Sequence, residues 1–167
     1  MTKRNIFVLF CIFFVFAKNC FSIENKILFK IDNEIITYLD VVNEINYLKA
    51  LNPQIKNLDK DKLFEISKKS IIREKVKKIE ILKRVKDLNI DNKYLDQLIK
   101  RTYLRLNIKT KKDFKIYLEK FNVDLNTVSK KISIEALWNE LIFLKFSNKI
   151  KIDEEMVKKE ILENNKK

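Results

Sequence analysis

Ile31-Asp32-Asn33-Glu34-Ile35-Ile36-Thr37-Tyr38-Leu39-Asp40-Val41 holds the change of period that decides the fold. Ile27-Leu28-Phe29-Lys30-Ile31 and Glu34-Ile35-Ile36 are rich in β-branched and aromatic residues, and Asp32-Asn33 separates them. The pattern predicts a small β-hairpin, with asparagine supplying the left-handed backbone that a tight turn needs. At Thr37 the period switches to that of a helix. The Thr37 hydroxyl accepts from a backbone N–H three residues on and Asp40 reaches back, which is the spacing of a capping box. Tyr38, Val41, Val42, Ile45 and Leu48 then make one apolar stripe. Two strands alone are marginal in water, so helices must cover them.

The rest of the chain supplies those helices. Leu51 to Lys60 holds the sole proline, Pro53, and reads as a connection. A long helix is predicted over 61–88, with Ile72, Val76, Ile79, Leu82 and Val85 on its buried side. Asn89 stands where a glycine would usually close it, with Ile90 folding back as the apolar contact. Asp91 starts a third helix through Tyr94, Leu98 and Ile99 to Leu106. Thr110-Lys111-Lys112-Asp113 repeats the capping-box spacing and opens a fourth, which Asn122-Val123 closes. The fifth, over 125–147, is the most hydrophobic. Its residues Ile134, Leu137, Trp138, Leu141, Phe143 and Leu144 lie most of the way round, which predicts burial in the centre of the domain. Asp153 is expected to cap a last amphipathic segment with Met156, Val157, Ile161 and Leu162. The predicted fold is mainly α, a small N-terminal β-hairpin packed on a bundle of about six helices.

The chain of 167 residues has room for one such domain after a targeting segment is set aside. Lys3 and Arg4 precede an unbroken apolar run, Ile6 to Ala17, which Lys18 and Asn19 end. As a helix the run would rise about 18 Å, short of the roughly 30 Å hydrocarbon core, so it reads as a secretory signal over residues 1–22. Cleavage after Ser22 leaves a domain of residues 23–167 without cysteine, and cleavage after Ala17 leaves Cys20 alone. Either way packing, not a disulfide, holds the exported domain.

The formal charge is +13, and among the 36 basic residues only Arg4, Arg73, Arg84, Arg101 and Arg105 are arginine. Most lysines are interleaved with acids, as solvated helix faces are. Export argues against nucleic acid as a partner and leaves contact with an anionic membrane surface or an acidic client open. The chain has no histidine and no glycine. That removes the commonest general base and metal ligand, and the loops that cradle phosphates. With so little cysteine no zinc site of the common kinds is expected. Adjacent carboxylates such as Glu154-Glu155 do not face each other on a helix. No catalytic residue, metal or cofactor is expected.

Three stretches, in this order, resemble the N-terminal domain of the SurA-type periplasmic chaperones. They are Ile31 to Val41, Val85-Lys86-Asp87-Leu88-Asn89-Ile90-Asp91, and Thr110 to Phe114 followed by Leu118, Phe121-Asn122-Val123 and Ile132. The resemblance extends over about residues 23 to 163, with Asn89 and Asn122 in place of glycines. It implies a periplasmic holdase for unfolded outer-membrane proteins or other exported polypeptides. Relatives continue into parvulin-type prolyl isomerase domains, and this chain stops at Lys167, so no isomerase activity is implied. A C-terminal segment that packs on the helices in relatives is missing too, which implies an incomplete module or an exposed apolar groove. Tyr103, Tyr117 and Phe121 are the candidate peptide-binding aromatics, with core packing as the competing role. The rival readings are a fragment or partner subunit of a parvulin-type isomerase, and a basic module tethered by an uncleaved signal.

Overall fold

The computed structural model describes residues 26–149 and 154–164. The expected signal, residues 1–22, and the expected cap Asp153 lie outside the described residues. Strands β1 (Ile27–Ile31) and β2 (Glu34–Thr37) pair antiparallel, with Ile31 opposite Glu34 and Phe29 opposite Ile36. The pairing shifts at Leu28 before Ile27 meets Thr37. In the turn it is Asp32, not Asn33, that takes the left-handed backbone, at φ 52°. A short polar side chain tolerates that region in either residue.

Helix α1 (Tyr38–Leu51) opens on the capping box expected at Thr37: the Asp40 N–H donates to Thr37 Oγ1 at 3.2 Å, and the Thr37 N–H donates to Asp40 Oδ2 at 2.8 Å. Asn52 then caps a 3₁₀ turn, Pro53–Asn57, where the proline fits the first turn because its missing N–H would have no partner there. Asp59 caps helix α2 (Lys60–Leu82). Asp91 caps α3 (Asn92–Arg105), Thr110 caps α4 (Lys111–Glu119), and Asp124 caps α5 (Leu125–Phe146). A 3₁₀ turn, Ser147–Lys149, follows, and α6 spans Glu154–Asn164. The described residues thus form a mainly helical fold, six α-helices with a two-stranded hairpin at the N-terminal end.

Two expectations about the helices are corrected. First, α2 ends at Leu82 rather than 88, and Asn89 is not its left-handed cap. The Asn89 N–H instead turns back to Asp87 Oδ1 at 2.9 Å, a local bond that competes with the helix. Its buried face is Leu63, Ser67, Ile71 and Ile81, while Val76, Leu82 and Val85 are exposed. Ser67 hid this face from a count of apolar residues. The expected closure of α4 at Asn122-Val123 is present, with Asn122 at φ 54°, and Asn107 (φ 60°) closes α3 in the same way. The Ile108 N–H bonds Tyr103 O at 3.0 Å and the Val123 N–H bonds Leu118 O at 3.2 Å, each reaching back five residues as a Schellman cap does. Second, α5 is central only in its first half, where Val128, Ser133 and Ile134 are buried.

The core is in two parts. Ala50, Ile99, Tyr103, Phe114, Leu118 and Val128 join α1, α3, α4 and α5. Ile36, Val41 and Ile71 pack the hairpin onto α1 and α2. Between Val41 and Ala50 on α1 sits a buried charge, Glu44.

Candidate functional site

Leu137, Leu141 and Leu144 of α5 recur at the spacing that puts side chains on one helix face. With Ile81 of α2 and Val85 beyond it they line a space of about 400 Å³, to which Arg84 and Lys145 bring two positive charges and Glu140 one negative charge. Across the ridge made by Leu137 and Glu140, a second space of about 550 Å³ is lined by Ile90, Tyr94, Ala136 and Phe143. The two spaces, whose linings share Leu137 and Glu140, are together called the α5 groove.

Phe143 is 68% and Leu144 67% exposed, and Ile142 and Phe146 are exposed beside them. Burying a side chain of this size is worth about 1.5–3 kcal/mol, so this cluster carries a large unspent driving force for association. Just below the open part, Lys77 pins α2 to α5. Its Nζ bonds both Glu135 oxygens at 2.6 Å and lies 5.9 Å from the Trp138 ring. Val157, Ile161 and Leu162 of α6 add further exposed apolar surface.

A buried polar network braces the opposite end of α5. Ser70 Oγ donates to Glu44 Oε1 at 2.8 Å, and Lys131 Nζ donates to Glu44 Oε2 at 2.7 Å and also to Glu74. Burial works against the Lys131 charge, and the carboxylates of Glu44 and Glu74 override it and hold its pKa above the ordinary lysine value. Lys131 also lies 4.7 Å over the Tyr47 ring. Burial, and then the nearby carboxylates, push the Tyr47 phenol up, so it stays protonated.

The structure places the three aromatics named from the sequence elsewhere. Tyr103, 8% exposed, packs in the core with its ring 5.9 Å from that of Phe114. Tyr117 is half-buried and its hydroxyl donates to Ala50 O at 2.8 Å, tying α4 to α1. Phe121, also half-buried, lies 5.2 Å from the Tyr117 ring under the Lys56 ammonium. None of the three lines the groove. Sequence reasoning missed Phe143 and Leu144 as surface residues. Their signal was that Leu141 to Phe146 is apolar on every side of the helix, more than one core can cover.

Among the described residues no group of three or more His, Cys, Asp or Glu side chains could hold a metal ion. No helix among them is long and apolar enough to cross a membrane. In comparisons with known proteins, no family model, no curated protein and no solved structure matches this chain.

Proposed function

We propose that the protein is a periplasmic holdase that takes extended apolar and aromatic segments of unfolded exported polypeptides, outer-membrane proteins among them, in the groove on α5. The observation that carries this reading is the exposure of Phe143 and Leu144 beside a space of about 400 Å³ with a basic rim. Apolar floor gives affinity for any chain that has not yet buried its own side chains. The rim of Arg84 and Lys145 keeps the patch solvated and favours clients with acidic residues near their apolar ones. The cost of ordering a disordered client limits the affinity and lets it leave. The resemblance of the Ile31 to Val41 stretch and its successors to the SurA-type chaperones supports the same reading and supplies the compartment.

Light scattering of a denatured outer-membrane protein diluted into buffer tests it. At a stoichiometric ratio the full chain slows the rise in scattering. An unchanged rise overturns the proposal.

A further inference from the structure

Arg101 and Arg105, both exposed, stand one turn apart on α3 and line the same open cavity, of about 340 Å³, between α1, α3 and α5. Two of the chain's five arginines are there, in a protein whose basic residues are otherwise almost all lysine. Neither guanidinium forms a hydrogen bond or ion pair among the described residues. Tyr47 lines the cavity between them and α5, and its hydroxyl also has no hydrogen-bond partner among the described residues. Ile132 and Leu98 supply an apolar wall, and Asn139 an amide at one end.

The charges around the cavity select the ligand. Glu135 on its wall is matched by Lys77. Lys131 is shared by two carboxylates, Glu44 and Glu74, which leaves one negative charge behind the cavity. Against this stand the two guanidiniums. The balance is a single positive charge, which suits a monoanion better than a phosphate dianion. A planar guanidinium binds a planar carboxylate through two parallel N–H···O bonds, and a lysine cannot supply that geometry. The Tyr47 phenol, held protonated, adds a donor.

We propose that this cavity is a carboxylate-binding site, with Arg101 and Arg105 as the clamp, Tyr47 as a third donor and Ile132 and Leu98 against the apolar side chain next to the carboxylate. The inference rests on the client-holding reading in that the carboxylate belongs to a polypeptide, either its C-terminus or an acidic side chain. Both sources offer the same group.

The test uses the full chain and short fluorescent peptides rich in Phe and Thr, with binding read by anisotropy. One peptide ends in a free carboxylate, a second is its C-terminal amide, and a third is the amide with one internal Asp. The carboxylate peptides bind about tenfold tighter than the amide, the size of one or two charge-assisted bonds. The arm that shows the gain names the source. Arg101→Gln with Arg105→Gln removes the gain and leaves the amide's affinity unchanged. Lys112→Gln with Lys115→Gln on α4 keeps it. Equal binding of all three peptides overturns the site and leaves the holdase reading standing. A gain lost equally in the lysine pair also overturns it, because general charge then explains the effect. Binding of the carboxylate peptides without any binding of the amide supports the site and overturns the apolar groove. No binding by any peptide overturns both.

Discussion

Lys131 of α5 reaches 2.7 Å from the carboxylate of Glu44 on α1, a residue only 2% exposed, and bonds Glu74 of α2 as well. One ammonium therefore ties together α1, α2 and α5. Removing one partner of a buried pair leaves a charge without compensation, at a cost of about 3–5 kcal/mol. Lys131→Met is expected to lower stability by that order. Adding Glu44→Gln returns part of the loss, since the orphan charge is gone. Urea unfolding of the two variants checks this, and a single variant with an unchanged midpoint contradicts it.

Asn107 and Asn122 hold the left-handed backbone that ends α3 and α4. For a residue with a Cβ and no local polar compensation, that region costs about 1–2 kcal/mol. Asn107→Ala and Asn122→Ala should each destabilise by about 1 kcal/mol, and the corresponding glycine variants should match or exceed the natural protein. Asn89→Ala, at a position with ordinary φ, should lose less than either. Thermal or urea midpoints of the five variants rank them directly.

Glu34, at the start of β2, bonds both Lys75 and Lys78 of α2 at 2.7 Å. These bonds lower its pKa from 4.5 to about 2. The folded value lies below the unfolded one, so the clamp contributes fully above the unfolded pKa and is lost as pH falls from 4.5 toward 2. Glu34→Gln removes that dependence. The natural protein is expected to be the more stable at neutral pH, and the gap should close as pH falls through this window. A gap that is constant with pH contradicts the assignment.

What the sequence made legible was local. The boxes at Thr37 and Thr110 were readable because both halves of each lie three residues apart. The hairpin was readable because its strands are joined by two residues. Asn89, Asn107 and Asn122 look alike as letters, yet only the last two are caps. The difference is set by packing. Tyr103 and Leu118, the residues whose carbonyls those caps bond, are buried in the core, while Val85 near the expected end of α2 has no buried place to fill. Extending α2 would have ordered more chain for little burial.

The buried faces were harder to read. Glu44 and Ser67 are buried polar residues, so the faces of α1 and α2 were each assigned slightly off their true direction. The exposed end of α5 was harder still. Its composition matches a central helix, and only the position of its neighbours reveals that nothing among the described residues covers Phe143 and Leu144. Tyr103, Tyr117 and Phe121 stand out as aromatic letters in the sequence, and none of them lines the spaces on α5.

The claim that unfolded clients lie on the second half of α5 is tested most directly by photo-crosslinking. A photoreactive amino acid replaces Phe143 in one variant and Ile116, 48% exposed on α4 and outside the groove, in another. Each full-length variant is mixed with a denatured outer-membrane protein and irradiated. The account predicts an adduct from position 143 and little or none from 116. Equal adducts from both positions, or none from 143, would contradict it.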